Sequence, residues 1–213
     1  MATPVGHSII GLACGRFYGS TTIGPSWRWY LFAIVAANAA DFDFLPGLLI
    51  GDINRYHQLA SHSILVALLF GGLVTLAAWR HTSNPVKWGV LSSIIYATHL
   101  VVDCFTNDIR APHGIPLFWP FSQEHFIMPV TLFGGVKHGV PGQSISVVIG
   151  EIFSWHNFKG IALEVVVLSP LLILSWAIAI LRARRVGESV GMNQQGFGGR
   201  DRKQARSEAS GHE

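Results

Sequence analysis

The chain has 213 residues, of which 50% are hydrophobic and 13% are charged, and its formal net charge is +3. A soluble domain carries about 25% charged residues, so this composition excludes an ordinary water-facing surface and indicates an integral membrane protein. The positive charges lie beside apolar segments and in the C-terminal tail, which argues against nucleic-acid binding. The two cysteines, Cys14 and Cys104, form no CxxC motif and predict no disulfide framework.

Apolar segments predict five helices, at residues 7–18, 29–50, 61–79, 86–105 and 160–182. A membrane-crossing helix needs about 20 residues, and the first segment is short for that. A stretch rich in Gly and Pro separates the last two helices, and its 145–153 run fits either a short helix or a strand. We therefore predict an all-α fold, an integral membrane bundle of four to five apolar helices, over residues 1–183. The polar residues 184–213 cannot bury enough apolar surface to order themselves and predict a disordered tail.

Ionisable residues recur at one end of this predicted bundle. Successive helices of an up-and-down bundle alternate in direction, so the starts of helices one, three and five meet the ends of helices two and four. The residues at these points are His7, Asp41, Asp43, His57, His62, His99, Asp103 and Glu164. Such groups are costly at membrane depth and are seldom retained without a use. Because imidazole and carboxylate are ligands of zinc and related divalent ions, the pattern predicts a His/Asp metal site at one membrane face.

Spacing narrows the roles of these residues. His99 and Asp103 are four apart and share one helix face, so both can bind one ion. Asp41 and Asp43 are two apart and diverge by about 200° on an α-helix. Both reach the site only if the chain unwinds, as the following Pro46 allows; otherwise one is a ligand and the other orients a histidine.

Two carboxylates are candidates for the group that accepts the proton. Glu164, in apolar surroundings, is either a ligand or the general base beside a metal, and Asp43 is the alternative base. His57 and His62 lie five apart across a loop-to-helix boundary and are candidate ligands. Taken singly, each polar residue also fits an interhelical hydrogen bond, and it is their convergence that favours a metal. Of the histidines scattered elsewhere, we expect only His113 or His125 near the site.

Together these motifs resemble the YdjM-like family of inner-membrane metal-dependent hydrolases, some of whose members are described as LexA-regulated. The matching motifs are Gly6-His7, Ala40-Asp41-Phe42-Asp43, His57-x4-His62-Ser63, His99-x3-Asp103-x2-Thr106 and Gly114-Ile115-Pro116-Leu117-Phe118-Trp119-Pro120. The resemblance covers roughly residues 6–122. It implies a multi-pass protein of the inner membrane, a divalent metal (zinc above all) and hydrolase activity.

A more distant likeness is to zinc-dependent phospholipase C and related nucleases. It implies one or two Zn²⁺ ions, with Asp103 as the bridge between two ions and with these ligands: His7, Asp41, His62 or His57, His99 and Asp103. It also implies a phosphoester substrate, and the membrane setting suggests a lipid head group. The alternative function is non-catalytic, either a metal-binding membrane protein or an ion or proton conduit. The apolar course of the third and fifth helices beyond the site argues against a conduit.

Basic and aromatic residues collect at the opposite end of the bundle. They are Arg16, Arg28, Arg80, Lys87, Arg182, Arg184 and Arg185, with Trp27, Trp29, Trp79, Trp88 and Trp176. Cytoplasmic loops carry an excess of Lys and Arg, and tryptophans form belts at membrane interfaces. We therefore predict an extracytoplasmic metal site and a cytoplasmic tail.

This topology can be tested by labelling. A reporter fused after Arg185 should report the cytoplasm, and a cysteine placed within residues 107–113 should react with an impermeant thiol reagent added outside. The new cysteine is introduced into a variant in which Cys14 and Cys104 are replaced by alanine, so that it is the one thiol available for labelling. The opposite labelling pattern would reverse the topology without affecting the metal chemistry.

Overall fold

The computed structural model describes residues 1–19, 27–108 and 111–209, with side chains as far as Arg185. Its helices are α1 (Pro4–Gly19), α2 (Trp27–Ala37), α3 (Phe44–Leu49), α4 (Ile64–Ala78), α5 (Pro85–Cys104), α6 (Ile145–Ile152) and α7 (Trp155–Ala209). Short 3-10 turns lie at Ala39–Asp43 and Ala60–His62. Two-residue strands, β1 (Thr106–Asn107) and β2 (Phe133–Gly134), pair in parallel. The 145–153 run, open between helix and strand, is therefore helical.

Among the described residues, two helices are long and apolar enough to cross a membrane, α5 and the Trp155–Arg185 part of α7. A third span would require α2 and the Ala39–Leu49 segment together, and these are bent by 58°. The 16 residues of α1 and the 15 of α4 fall short of the roughly 20 that a span needs. Within the described ranges, the predicted bundle of four to five apolar helices is thus confirmed only as a mainly helical chain with two or three candidate spans.

The predicted continuous helix at residues 29–50 is wrong, because the chain breaks in its middle. The helix α2 ends at Ala37, and the Asn38 amide Nδ2 donates to the Ile34 carbonyl oxygen at 2.8 Å. Asn and Asp side chains compete with helical backbone bonding, and the 3-10 turn that follows carries two aspartates. Pro46 lies in the first turn of α3, where a missing backbone N–H is tolerated. The break turns both aspartates toward the end of the bundle.

The last helix, α7, extends further than composition suggests. It is helical as far as Ala209, although residues 184–213 have the composition of a disordered tail. Side chains are described only to Arg185. The division into a membrane domain at 1–183 and a tail at 184–213 therefore stays a prediction.

The core lies between α2, α4 and α5. Trp29 and Ala33 of α2 pack with Leu91 and Ile95 of α5. Trp29 is only 3% exposed, and its indole Nε1 donates to the Gly15 carbonyl oxygen at 2.9 Å. The prediction that places Trp29 in an interfacial belt is therefore wrong, because the side chain serves instead to pack α2 on α1 and α5.

The helices α4 and α5 approach closely through two glycines. A Cβ atom added to Gly71 would lie 2.5 Å from the Gly89 carbonyl oxygen, and one added to Gly89 would lie equally near the Gly71 carbonyl oxygen. A Cβ added to the neighbouring Gly72 meets nothing within 4 Å. Small residues at such crossings let two backbones approach, as is common between membrane helices. The α4–α5 pair therefore forms a tight helical hairpin.

The glycine contact predicts opposite effects for two adjacent substitutions. Gly71→Ala should lower the free energy of unfolding by about 1–3 kcal/mol, because the new methyl group collides with the backbone of α5. Gly72→Ala should raise it by up to about 1 kcal/mol, because alanine favours the helix and has open space. Thermal unfolding of both variants in the same detergent checks the pair. Equal effects at the two positions would contradict the close approach.

Candidate metal centre

The structure brings the predicted ligands together at one end of the bundle. They come from four places in the chain: the start of α1, the 3-10 turn after α2, the segment before α4, and the last two turns of α5. In the described part of the chain, three groups have ligand atoms within 4.8 Å of one another: His7, Asp41 and His99; Asp41, His57 and His62; and His62, His99 and Asp103. These groups contain all four histidines predicted as ligands, with Asp41 and Asp103, whereas Glu164 belongs to none of them.

Four ligand atoms lie close together, and we call them the central quartet: Asp41 Oδ1, His62 Nε2, His99 Nε2 and Asp103 Oδ2. The two imidazole nitrogens are 3.3 Å apart. Asp41 Oδ1 is 3.5 Å from each nitrogen, and Asp103 Oδ2 is 3.5 Å from His62 Nε2 and 3.2 Å from His99 Nε2. Ligand atoms of a four-coordinate zinc ion lie about 3.3–3.6 Å from one another. The distances from each carboxylate to the two nitrogens therefore fit ligands of one ion.

The ring tautomers follow from the outer contacts of the two histidines. His99 Nδ1 lies 2.8 Å from the Ala37 carbonyl oxygen, which can only accept, so Nδ1 is the donor. Ser61 Oγ donates to Asp43, so the contact of 3.0 Å between Ser61 Oγ and His62 Nδ1 uses the histidine N–H. Both Nε2 atoms of the neutral rings therefore direct lone pairs into the quartet, which is the arrangement of metal-binding histidines.

Several polar atoms around the quartet are buried without a hydrogen-bond partner in the described part of the chain. They include both carboxylate oxygens of Asp41, Asp103 Oδ2 and both ring nitrogens of His7. Burying a carboxylate without compensation is costly, and the facing nitrogen lone pairs add to that cost. A bound cation would satisfy the carboxylate oxygens and the one ring nitrogen of His7 that carries a lone pair, since the other ring nitrogen is an N–H donor.

Asp43 supports the site from outside the three ligand groups. Its Oδ1 accepts from His57 Nδ1 at 2.8 Å, and its Oδ2 accepts from Ser61 Oγ at 2.6 Å and from the Gln58 amide at 3.1 Å. Gln58 has a φ of 59°, a left-handed conformation rare outside glycine, and this amide contact helps to hold it. Of the two alternatives for the aspartate pair, Asp41 has the place of the ligand and Asp43 that of the carboxylate that orients histidines.

Two histidines in the segment before α4, His57 and His62, differ in proton affinity. Burial lowers the pKa of His57, and this effect outweighs the neighbouring Asp43 carboxylate. Burial also lowers the pKa of His62, but hydrogen bonding to Asp41 and Asp43 outweighs it, so that pKa is raised. Metal binding needs the neutral ring and releases such a proton. A divalent ion would thus replace the proton that the carboxylates favour on His62.

Two ions are compatible with the ligand groups. Asp41 belongs to the group with His7 and His99 and to the group with His57 and His62, whereas Asp103 belongs to one group. The His7 ring also stacks on His99, with centroids 3.6 Å apart, and its Nε2 lies 3.4 Å from Asp103 Oδ1. Asp103 Oδ2 lies near His62 and His99, so both aspartates lie beside more than one histidine, and the expectation of Asp103 as the bridge between two ions stays a prediction.

Glu164, on α7, is fully buried and holds the start of α1. One of its oxygens accepts from the Thr3 amide at 2.8 Å, and the other accepts from the Thr3 hydroxyl and from the Gly6 amide at 3.1 Å. A Cβ at position 6 would lie 2.5 Å from the carboxylate, so this approach requires glycine. Carboxylates stabilise helix N-termini by accepting from their free amides. These contacts fix α1, and with it His7.

Sequence reasoning missed one histidine beside the centre. His138 is buried, with its ring centroid 5.0 Å from that of His57. Its Nδ1 contacts Asn54 Oδ1 at 2.9 Å, and the Asn54 amide donates back to the His138 carbonyl oxygen at 2.8 Å. The interpretation of His138 as a remote loop residue is wrong, and no local sequence signal distinguishes it. His113 contacts the Asp108 carbonyl oxygen, and Asp108 bonds Gln58, so His113 lies further out.

A model of one protein family, described as YdjM inner membrane protein, matches residues 1–183. No curated protein and no solved structure matches the chain. The more distant likeness to zinc-dependent phospholipase C is not shown by these comparisons.

The contacts of Glu164 predict the effect of Glu164→Gln. An amide offers one acceptor oxygen, and its NH₂ group would face the N–H donors of Thr3 and Gly6, so the start of α1 should shift. We expect metal affinity to fall by about 10–100-fold, as is usual when a group that orients a ligand is lost. Metal titration of the purified protein measures this, and Glu151→Gln on α6 is the matched control. Unchanged affinity with lost turnover would instead assign Glu164 as the general base.

Proposed function

This chain belongs to the YdjM inner membrane protein family, and we propose that it is a membrane-bound, metal-dependent hydrolase. We propose zinc as the metal and the phosphoester of a lipid head group as the substrate. The observation that carries the proposal is the central quartet, in which nitrogen lone pairs and carboxylate oxygens face one another at 3.2–3.5 Å. Four acceptors turned inward in this way favour a positive ion between them, and this supports the proposal.

The donor set fits zinc better than the common alkaline-earth ions. Calcium takes six to eight oxygen ligands, and magnesium needs octahedral oxygen coordination. Two imidazole nitrogens with two carboxylate oxygens are instead typical of zinc. The residues that would hold the ion are Asp41, His62, His99 and Asp103, with His7 or His57, which lie in separate ligand groups, available to a second ion.

Hydrolysis requires a polarised ester and a group that takes a proton from water. A bound zinc ion supplies Lewis-acid polarisation and makes the attacking water more acidic. The water oxygen forms the new bond to phosphorus, the bond to the leaving alcohol breaks, and one proton passes to that alcohol. We assign the accepting carboxylate to Asp43, because it borders an open groove, whereas Glu164 is fully buried against α1. Asp43 can accept further, since each carboxylate oxygen has two lone pairs.

Two substitutions test the metal site directly. His99→Ala and Asp103→Ala each remove one member of the quartet, so both variants should lose bound metal while still inserting into the membrane. The measurement is elemental analysis of detergent-purified protein, beside turnover of chromogenic phosphoesters and phospholipids. His81→Ala is the control, because His81 is exposed and outside the ligand groups.

The outcomes of this experiment distinguish metal binding from catalysis. Full metal occupancy in both variants would end the metal-site interpretation. Metal lost from both variants, with no turnover of any ester by the unmodified protein, would favour a metal-binding membrane protein without catalysis. Turnover that falls together with metal content supports the hydrolase.

A further inference from the structure

An open groove of about 620 Å³ lies beside the metal centre. Its walls are mostly apolar side chains from α3 and from the chain before α4, and its polar boundary is a carboxylate and a hydroxyl. Among the lining residues are Pro46, Leu49, Tyr56 and Leu59, with Asp43 and Ser61 at the polar boundary. The volume is within the range of small-molecule sites, roughly 300–1,000 Å³.

The polar boundary of the groove is also the edge of the metal centre. Ser61 Oγ donates to Asp43 Oδ2 at 2.6 Å, and Asp43 Oδ1 accepts from His57 at 2.8 Å. Ser61 also precedes His62 and contacts its Nδ1 at 3.0 Å. A molecule that fills the groove therefore reaches the histidines through these two residues.

The other side of the groove is bounded by strongly exposed apolar side chains. Leu49 is 88% exposed, and Ile50 and Leu45 are each 56% exposed. They lie on or just after α3, the second half of the bent helix pair that together would form a candidate span. Contiguous apolar side chains of this size mark a surface that is covered by lipid or by a partner. In an inner-membrane protein, such a surface is continuous with the bilayer.

We propose that this groove binds one acyl chain of a membrane lipid. The head-group end of that lipid, which carries the phosphoester, then lies at the Asp43–Ser61 end of the groove. Of the described lining residues, Asp43 is the one that carries a charge, so the walls suit a neutral hydrocarbon chain and not an anionic head group. A chain in the bilayer is already out of water, so its transfer is favoured because it covers the apolar walls of the groove. The groove thus selects a substrate that enters sideways from the bilayer. The identity of this chain as part of a substrate rests on the proposed hydrolase function, whereas its binding does not.

The experiment compares two matched leucine substitutions. Leu59→Trp fills the groove, and Leu76→Trp places the same bulk in a different apolar groove, at the far end of α4. The probe is a phosphatidylethanolamine with a photoactivatable group in its acyl chain, carried in nanodiscs with the full-length protein. Adducts within residues 45–60 are counted relative to adducts on α7, which carries neither substitution and serves as an internal reference. We expect Leu59→Trp to reduce this ratio roughly tenfold or more, and Leu76→Trp to leave it unchanged.

A second variant guards against a folding defect. Leu49→Gln makes the membrane side of the groove polar without added bulk, at a position that is mostly exposed, and it should also lower the ratio. Metal content of each variant shows whether the centre is intact. An unchanged ratio in both groove variants with metal retained would overturn the acyl-chain site, as would an absence of adducts within residues 45–60 in the unmodified protein. Neither result depends on turnover, so failure of the hydrolase proposal is seen separately, in the phosphoester assay.

Discussion

Buried carboxylate charge is the constraint on which this end of the molecule depends. Asp41 and Asp103 have oxygens that no described hydrogen-bond donor satisfies, and these oxygens lie between helices with mostly apolar surfaces. An isolated buried charge would cost several kcal/mol, and removing its compensation would destabilise the fold. The ends of α2 and α5, the start of α1 and the segment before α4 are arranged around this charge. A cation bound here would serve stability as well as chemistry.

The ligands are held by atoms that have little freedom of their own. The Ala2 amide donates to Asp103 Oδ1 at 2.8 Å, and the Ala37 carbonyl oxygen fixes the ring of His99. Backbone groups at helix ends are rigid partners, and they would otherwise lack partners of their own. The break after α2 therefore serves the site twice: it frees Ala37 to accept from His99, and it places Asp41 in the quartet. Pre-organised ligands of this kind reduce the reorganisation needed on binding.

Much of the centre could be predicted from sequence, because alternating helix direction already brings the polar helix ends to one side. The four-residue spacing of His99 and Asp103 was sufficient to place them on one face. The break at Asn38 was not predictable in position, because an apolar run hides competition between side-chain and backbone hydrogen bonds. The contact of His138 with His57 depends on how a long loop packs, and helical periodicity carries no information about that. The predicted number of membrane-spanning helices was also not confirmed, because the length of an apolar segment does not reveal a 58° bend within it.

The α4–α5 hairpin has a consequence for how the centre assembles. His62, His99 and Asp103 lie at the open end of a single hairpin whose helices approach at Gly71 and Gly89, so a local chain closure already gathers three ligands. Short closures cost less chain entropy than long ones. The last helix, α7, must then pack against α1 before Glu164 can accept hydrogen bonds from the start of α1, which carries His7. A metal ion that binds here would therefore be captured early by the hairpin and enclosed late, after the final helix has been inserted.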